Sequence, residues 1–376
     1  MSVSADAFPD HEKEKLLRAC FLTLPQIGSG HLRQILGIWG GAAAADLQAP
    51  RAAGKLSGWL SDFARQCGAA DPVRMAETLA REGIGVVVPE EREYPCLLKE
   101  CPDAPPLLFY KGQLRGGQEG IAIVGARKAT HYGKAAAGRL AGEIAGAGFV
   151  IVSGLARGID GAAHEGALRA GGTTWAFMAG GLERVYPGEH RALAVRIAAG
   201  GGALLSEFPP GASWLPQRFP MRNRLISGVS RGVVVVEAGE RSGSLITADF
   251  ALEQGRDVFA VPGPIFSEVS LGAHHLLRSG ALLAASGADV VGEYEKPAGE
   301  KQAASPPPIP AAGPRVSSAH REILACLSDV PLHVDELRRQ CRQTASETAL
   351  SLLELELSGR IRSLPGQHFV LSRDSA

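Results

Sequence analysis

Between Glu207 and Glu237 the chain carries no acidic residue, yet it places Arg218, Arg222 and Arg224 in that interval, with Asn223 between the last two, around the run FPMRNRLISGVS (219–230). Cations set among apolar neighbours, with no carboxylate at hand in sequence, are a means of receiving an anion. Residues 111–139 repeat the imbalance: Lys111, Arg115, Arg127, Lys128, Lys134 and Arg139 stand against Glu119 alone. Further on, Ser242-Gly243-Ser244 opens the segment LITADFALEQ, with Thr247 inside it. Small residues at a helix start leave its first amides, which have no partner within the helix, open to a phosphate. The chemistry on offer is the holding of an anion.

The elements that must position these residues are legible as an alternation. Apolar runs IAIVG, FVIVSG, TTWAFMAGG, GALLSE, GVVVVEAG and DVFAVPG alternate with helical stretches, which predicts an α/β fold: a Rossmann-like, mostly parallel sheet covered on both faces. Ligands of such sheets bind at the carboxyl ends of the strands. The loops leaving those ends are GARKATHYG, SGLARGIDGAAH, AGGLERVYPGEH, SEFPPGASWLPQRFPMRNR and EAGERSGSLIT, rich in Gly, Ser, Thr, Arg and Asn. Arg127, Arg157, Arg222 and Arg224 all map to that edge, while Ser and Asp there also serve as ordinary helix caps.

Several chemistries are excluded. The first loop, Gly125-Ala126-Arg127-Lys128-Ala129-Thr130, has no second glycine until Gly133, so it departs from the dinucleotide fingerprint, and no GxxxxGK[ST] occurs. No nucleophile constellation stands out. Asp160 and His164, four apart, are read as a helix cap and its neighbour, so no metal and no cofactor are expected. The six cysteines form no CxxC pair and read as reduced structural thiols. No apolar run reaches membrane-spanning length and the N-terminus lacks a signal-peptide core, so a cytoplasmic protein is expected.

The chain divides by composition. Residues 1–91 read as helical, with KLLRACFLTL, HLRQILGIWG and DPVRMAETLAREG as amphipathic pieces; LPQIGSGHLRQIL is similar to a helix-hairpin-helix element, a SAM/helix-hairpin-helix-like domain. Residues 92–295 hold the Rossmann-like domain. Residues 296–314 are a Pro/Ala-rich linker, and 315–376 read as three helical pieces and a Gly-turned hairpin, a winged-helix-like domain. The helix around TASETALSLLELELSG is acidic and apolar, which favours a protein contact or a regulatory role over reading of a DNA groove.

In order along the chain stand YPCLLKECPDAPPLLFYKG, IAIVGARKATHYG, VSGLARGIDGAAHEGAL, GGLERVYPGEH, LLSEFPPG, FPMRNRLISGVS, VVVVEAGERSGSLITADFALEQGRDVFAVPG and GAHHLLRSGA. Together they resemble the DNA-processing protein A (DprA/Smf) family, over roughly residues 92–285. The resemblance implies a non-enzymatic protein of natural transformation that binds single-stranded DNA, protects it, loads the RecA recombinase onto it, and forms a homodimer through the Rossmann-like domain. It also implies a DNA and phosphate site. Gly125, Arg127 and Lys128 belong to the first loop; Ser153, Gly154, Arg157, Gly158 and Asp160 to the second; Gly180 and Gly181 to the third. Arg222, Asn223 and Arg224 match the family's RNR element, and Ser242, Gly243, Ser244 and Thr247 its SGSxxT helix start. In YPGEH, Gly188 departs from the Lys or Arg of many relatives, which leaves two alternatives: a contact missing there, or His190 and Arg191 as replacement cations. Phe219, Trp214 and Tyr132 are candidate stacking surfaces for bases. The rival class is a nucleotide-processing enzyme of the phosphoribohydrolase-like type, whose loop needs a Glu three residues after its Thr; counted from Thr247, that position is Phe250.

Overall fold

Short apolar runs with no polar face must bury both sides, and each run becomes a strand flanked by helices. The computed structural model describes residues 8–294, 318–328, 330–341 and 344–372. In chain order, the first part holds α1 (Asp10–Phe21), α2 (Ser29–Trp39), α3 (Ala42–Ala52), α4 (Gly58–Gln66), α5 (Pro72–Glu82), β1 (Gly85–Val87), α6 (Cys96–Lys99), β2 (Leu108–Gly112) and β3 (Gly120–Val124). There follow α7 (His131–Gly146), β4 (Val150–Ser153), α8 (Ile159–Arg169), β5 (Thr174–Phe177), α9 (Arg191–Ala199), β6 (Ala203–Ser206), α10 (Arg218–Gly228) and β7 (Ser230–Val235). Then come α11 (Gly243–Glu253), β8 (Asp257–Ala260), α12 (Leu271–Arg278), β9 (Leu282–Leu283) and α13 (Gly287–Gly292).

The strands form one sheet in the order β1-β2-β6-β5-β4-β3-β7-β8-β9. From β6 to β9 every pairing is parallel; β2 runs antiparallel to β6, and β1 antiparallel to β2. The fold is therefore α/β with a mostly parallel sheet. Every residue of β3, β4, β5 and β6 is buried, as a sheet covered on both faces requires. The chain winds outward from β3 through β4 and β5 to β6, then crosses back to place β7 on the other side of β3. The crevice between the ends of β3 and β7 is thus the topological switch point, where such sheets take ligands. The returning segment 207–229 carries α10 across it.

The antiparallel edge was not expected from sequence. β1 is only three residues long and β2 ends in the polar Lys-Gly pair of LFYKG, so neither shows the continuous apolar run of the central strands. β1 also falls on the helical side of the expected boundary at 91/92, and its pairing with β2 ties the two regions together. Within the region read as helical, α3 and α4 were not singled out as separate pieces. In α3 the buried residues are Ala42, Ala45 and Ala49, a stripe too small to stand out by hydrophobicity. By contrast α5 carries full punctuation: Asp71 accepts from Arg74 N, Pro72 is its first residue, and Gly83 ends it at φ 63°.

Residues up to Glu295 form one compact unit and those from Lys296 a second, and each is described by itself. The expected linker 296–314 lies outside the described residues. The second unit holds α14 (Ser318–Cys326), β10 (Leu332–His333), α15 (Val334–Cys341), α16 (Ala345–Leu357), β11 (Ile361–Leu364) and β12 (His368–Leu371). Its three strands form an antiparallel sheet in the order β10-β12-β11. Ile323, Leu327, Leu337, Leu352, Leu355 and Ile361 make its core. Among the described residues no helix is long and apolar enough to cross a membrane.

Candidate nucleic-acid interface

At the switch point lies a cleft of about 520 Å³. Its walls come from the end of β3 and the loop after it (Gly125, Arg127), the start of α8 (Asp160), one face of α10 (Phe219, Arg222, Asn223) and the start of α11 (Ser242, Gly243, Ser244, Thr247), with Tyr186 at the rim. Of the residues expected at the site, those just named other than Tyr186 line this cleft. Lys128, Ser153, Gly154, Arg157, Gly158, Gly180, Gly181 and Arg224 do not.

Arg222 is the floor. It is 4% exposed, and its Nη1 donates to the carbonyls of Gly154, at 2.7 Å, and Phe177, at the ends of β4 and β5. Only a glycine admits it: a Cβ at Gly154 would meet the guanidinium at 2.6 Å. Burial pushes the Arg222 guanidinium down to about 10, with Asp160 opposing that fall and Arg127 adding to it. Asp160 is buried too, and its Oδ2 accepts from the amides of Gly154 (3.1 Å) and Ala156 (3.3 Å). Desolvation pushes its carboxyl up, against the pull of Arg222 and the two amides. The Ser153 hydroxyl donates to Ile123 O at 2.7 Å, inside the sheet. Gly158 holds φ 78° and lies where a side chain would strike Ala126 O. Gly180 and Gly181 support the returning segment: Trp214 and Ala212 O approach Gly180 closely, and Gly181 N donates to Ala212 O at 3.0 Å. These residues shape the cleft from behind.

Helix starts decide where an anion can sit. At α7, the start that follows the first parallel strand, the place is taken. Glu237, 2% exposed, accepts from Thr130 N at 2.9 Å and from Thr130 Oγ1 at 2.5 Å, and its carboxylate rests on the α-carbon side of Gly133. This is where a dinucleotide-binding sheet seats a pyrophosphate, and here the protein's own carboxylate fills it. The loop before α8 is likewise served by Asp160. At α11 the first turn carries no acidic residue; the Ser242 hydroxyl accepts from Ser244 N at 3.4 Å and the Ser242 carbonyl from Leu245 N at 3.1 Å. Asn223 Nδ2 donates to Gly243 O at 3.2 Å and braces that start against α10.

The arginines of α10 are not without counter-charge, contrary to the expectation from the acid-free interval. Arg224 points away from the cleft, donating to Glu207 at 2.5 Å and to Asp103 O at 3.0 Å, with Nε 3.2 Å from Asp103 Oδ2. Glu207 is the residue that bounds the interval in sequence; the crossover folds it back onto the helix. Burial pushes its carboxyl up, with Arg224 and Ser29 opposing. Arg224 instead lines a second cleft, of about 830 Å³, between the turn before α2 and the outer face of α10. Arg157 is exposed but held by both carboxylate oxygens of Glu189, at 2.8 and 2.9 Å. Of the replacements for a cation at Gly188, His190 turns inward and its Nδ1 donates to Leu155 O at 2.9 Å, while Arg191 is exposed.

Arg127 remains exposed, with its guanidinium 5.3 Å from the centroid of the Phe219 ring. Phe219 belongs to an aromatic cluster: Tyr186 stacks on Trp214 at 5.7 Å, and Tyr186 and Trp214 lie 5.8 and 6.4 Å from Phe219. Tyr186, 47% exposed, was missed in the sequence although it sits in a strand-end loop; a tyrosine beside Pro187 in that position was the available signal. Tyr132 does not join them, because its hydroxyl donates to Pro262 O at 2.6 Å.

The family described as DNA recombination-mediator protein A matches residues 85–295, and the DprA winged helix domain matches residues 303–367. The chain is 40% identical to Protein Smf of Escherichia coli (strain K12) over 295 residues, 76% of this chain and 78% of that one. It is 45% identical to the DNA processing protein DprA of Bacillus subtilis (strain 168) over 222 residues, 58% of this chain and 74% of that one. Among solved structures it resembles that of DNA processing protein A from Streptococcus pneumoniae, with a TM-score of 0.64 and 34% identity over 79% of this chain and 100% of that one.

Proposed function

Because this chain belongs to the DNA-processing protein A (DprA/Smf) family and carries its winged helix domain, we propose that it binds single-stranded DNA across the β3–β7 cleft and loads the RecA recombinase onto it during natural transformation. The observation that carries this reading is the stack of Arg127 on Phe219 beside the carboxylate-free start of α11. A cation for the phosphate, an aromatic face for the base and a helix start that no acidic side chain occupies, all within one cleft, are the parts that single-strand recognition needs. Bases must be unpaired to reach Phe219, Trp214 and Tyr186, so single strands are preferred over duplex. The residues in contact with the strand are Arg127, Lys128, Asn223, Ser242, Gly243 and Ser244; Gly125, Ser153, Gly154, Gly158, Asp160, Gly180, Gly181, Arg222 and Thr247 hold them in place.

The protein acts as a binder and not as an enzyme. In support of this, the one carboxylate lining the cleft is Asp160, engaged by two backbone amides, while Asp249 and Glu253 are exposed elsewhere on α11. A homodimer forms through the Rossmann-like domain at the β9 edge. In support of this, β9, the last strand of the sheet, exposes Leu282 and Leu283, and the loop after β8 exposes Ile265 and Phe266, the last 95% exposed.

The test is binding to single- and double-stranded oligonucleotides over a salt series, for wild type and Arg127→Ala. Tighter binding to single strands is expected, with a log K that falls steeply with log salt. Equal affinity for duplex, or an unchanged slope in Arg127→Ala, would overturn the assignment of the cleft. Release of base from nucleoside monophosphates would instead establish the enzymatic rival. Loading is tested by the rate of recombinase filament assembly on DNA covered by single-strand-binding protein, with and without this chain.

A further inference from the structure

The six cysteines are all free thiols, and they are not alike. Cys20, Cys67 and Cys101 are buried; the thiols of Cys67 and Cys101 each donate to a carbonyl of their own segment, Ala64 O and Leu97 O, at 3.6 Å. Cys96 is exposed. Cys326 and Cys341 differ from all of these: they are the last residues of α14 and α15, and their sulfurs lie 3.4 Å apart, Cys341 donating to Cys326.

We propose that Cys326 and Cys341 form an oxidation site, which a peroxide closes into a disulfide stapling α14 to α15. A disulfide needs its sulfurs at about 2.05 Å. The remaining approach is short, and it falls on the final residues of two helices, where the backbone is least constrained by the hydrogen-bond ladder. Cys341 belongs to the core of the second unit and Cys326 packs against that core. The bond removes two hydrogens and adds no atom, so it does not overpack the interior.

The roles divide by environment. Cys326 is half-buried and Cys341 buried. Burial and the hydrogen bond to Cys326 push the Cys341 thiol up to about 12, which keeps its proton in place while Cys326 reacts. Cys326 gives its proton to solvent and its thiolate attacks one peroxide oxygen; the S–O bond forms as the O–O bond breaks, and the leaving hydroxide takes up that proton as the first water. Its sulfur, now a sulfenic acid, has been oxidised by two electrons. The Cys341 sulfur then attacks the Cys326 sulfur; the S–S bond forms, the S–O bond breaks, and the hydroxyl departs with the Cys341 proton as water. Two thiols and one hydrogen peroxide thus give one disulfide and two waters. The ring so closed, residues 326–341, spans β10 and α15 in a unit small enough for one cross-link to matter.

The experiment uses the full chain carrying Cys96→Ser, which removes the exposed competitor, treated with hydrogen peroxide. The expected result is loss of two thiols, a mass lower by two hydrogens, and one peptide pair joined through Cys326 and Cys341, all reversed by dithiothreitol. The unfolding midpoint of the C-terminal unit should rise by on the order of 10 °C. In the Cys341→Ser form the reaction should stop at a sulfenic acid on Cys326 that a dimedone probe traps. Oxygen uptake at Cys326 without a linked pair in the Cys96→Ser chain would overturn the proposal. So would a link between two chains, or thiols that stay free under peroxide while they react in the unfolded chain.

Discussion

Arg224 and Ser29 donate to the same oxygen of Glu207, at 2.5 and 2.8 Å, so one buried carboxylate joins the start of α2 to the middle of α10. Its other oxygen is buried without a hydrogen-bond partner among the described residues. Removing the arginine strands a charge that solvent cannot reach. Arg224→Ala is therefore expected to cost about 3–5 kcal/mol, read as a lower denaturant midpoint. The deficit should be smaller in mild acid, where Glu207 can take a proton, and Arg224→Ala/Glu207→Ala should recover part of it. If Arg224→Ala leaves stability intact and weakens only DNA binding, the arginine is a phosphate contact after all.

Arg127 and Phe219 should fail in different ways. Arg127→Ala is expected to weaken single-strand binding and to flatten the slope of log K against log salt by roughly 0.7, the share of one phosphate on a single strand. Phe219→Ala should lose about 1–3 kcal/mol of stacking with the slope unchanged. Fluorescence anisotropy over a salt series separates the two, and parallel lines for all three proteins would refute the division of labour.

His164 gives the fold a pH limit. Its ring is fully buried, its Nδ1 hydrogen-bonds Thr174 at 2.7 Å, and burial pushes the imidazole down from 6.5 to about 3. Because Thr174 Oγ1 donates to Ile151 O, the Nδ1 must carry the proton toward Thr174. The folded pKa lies below the unfolded one, so the folded state refuses a proton that the unfolded chain accepts. Stability from this group is full above pH 6.5 and is lost as pH falls toward 3, at up to about 1.4 kcal/mol per unit. His164→Asn keeps a donor to Thr174 and should flatten the acid limb of a stability–pH curve by one proton; an unaltered limb counts against this account.

The exposed loop after β8, the neighbour of β9 in the sheet, offers a direct test of association. Phe266 is almost fully exposed, so Phe266→Glu should leave the fold undisturbed while placing a charge in any contact there. The expected outcome by light scattering is a shift from dimer to monomer. A dimer that persists unchanged would move the interface elsewhere.

The central strands were legible because each buries both faces and so writes an unbroken apolar run into the sequence. The loops after β3 and β7 that line the candidate cleft were legible from the same strands, since their carboxyl ends name the edge. What was not legible was which arginine does what. Arg127, Arg222 and Arg224 look alike in sequence. Their fates are set by Gly154, which makes room for Arg222, and by Glu207, which the crossover brings back to Arg224. Both are long-range events that no local pattern records. Tyr186 was missed for a related reason: its stacking partners Trp214 and Phe219 arrive from a different loop.

Glu237 has a bearing on life inside a crowded solution. A sheet of this kind ordinarily carries a vacant seat for the phosphates of any passing nucleotide, and a strand-binding protein that kept that seat open would be titrated by the metabolite pool. With the carboxylate already hydrogen-bonded to Thr130, the generic ligand meets like charge where it would have found free amides. Soluble nucleotides should compete poorly against even a short oligonucleotide, whose grip is spread over several contacts at once. On the proposed function, selectivity for polymer over monomer would be owed as much to an occupied position as to any contact the strand makes.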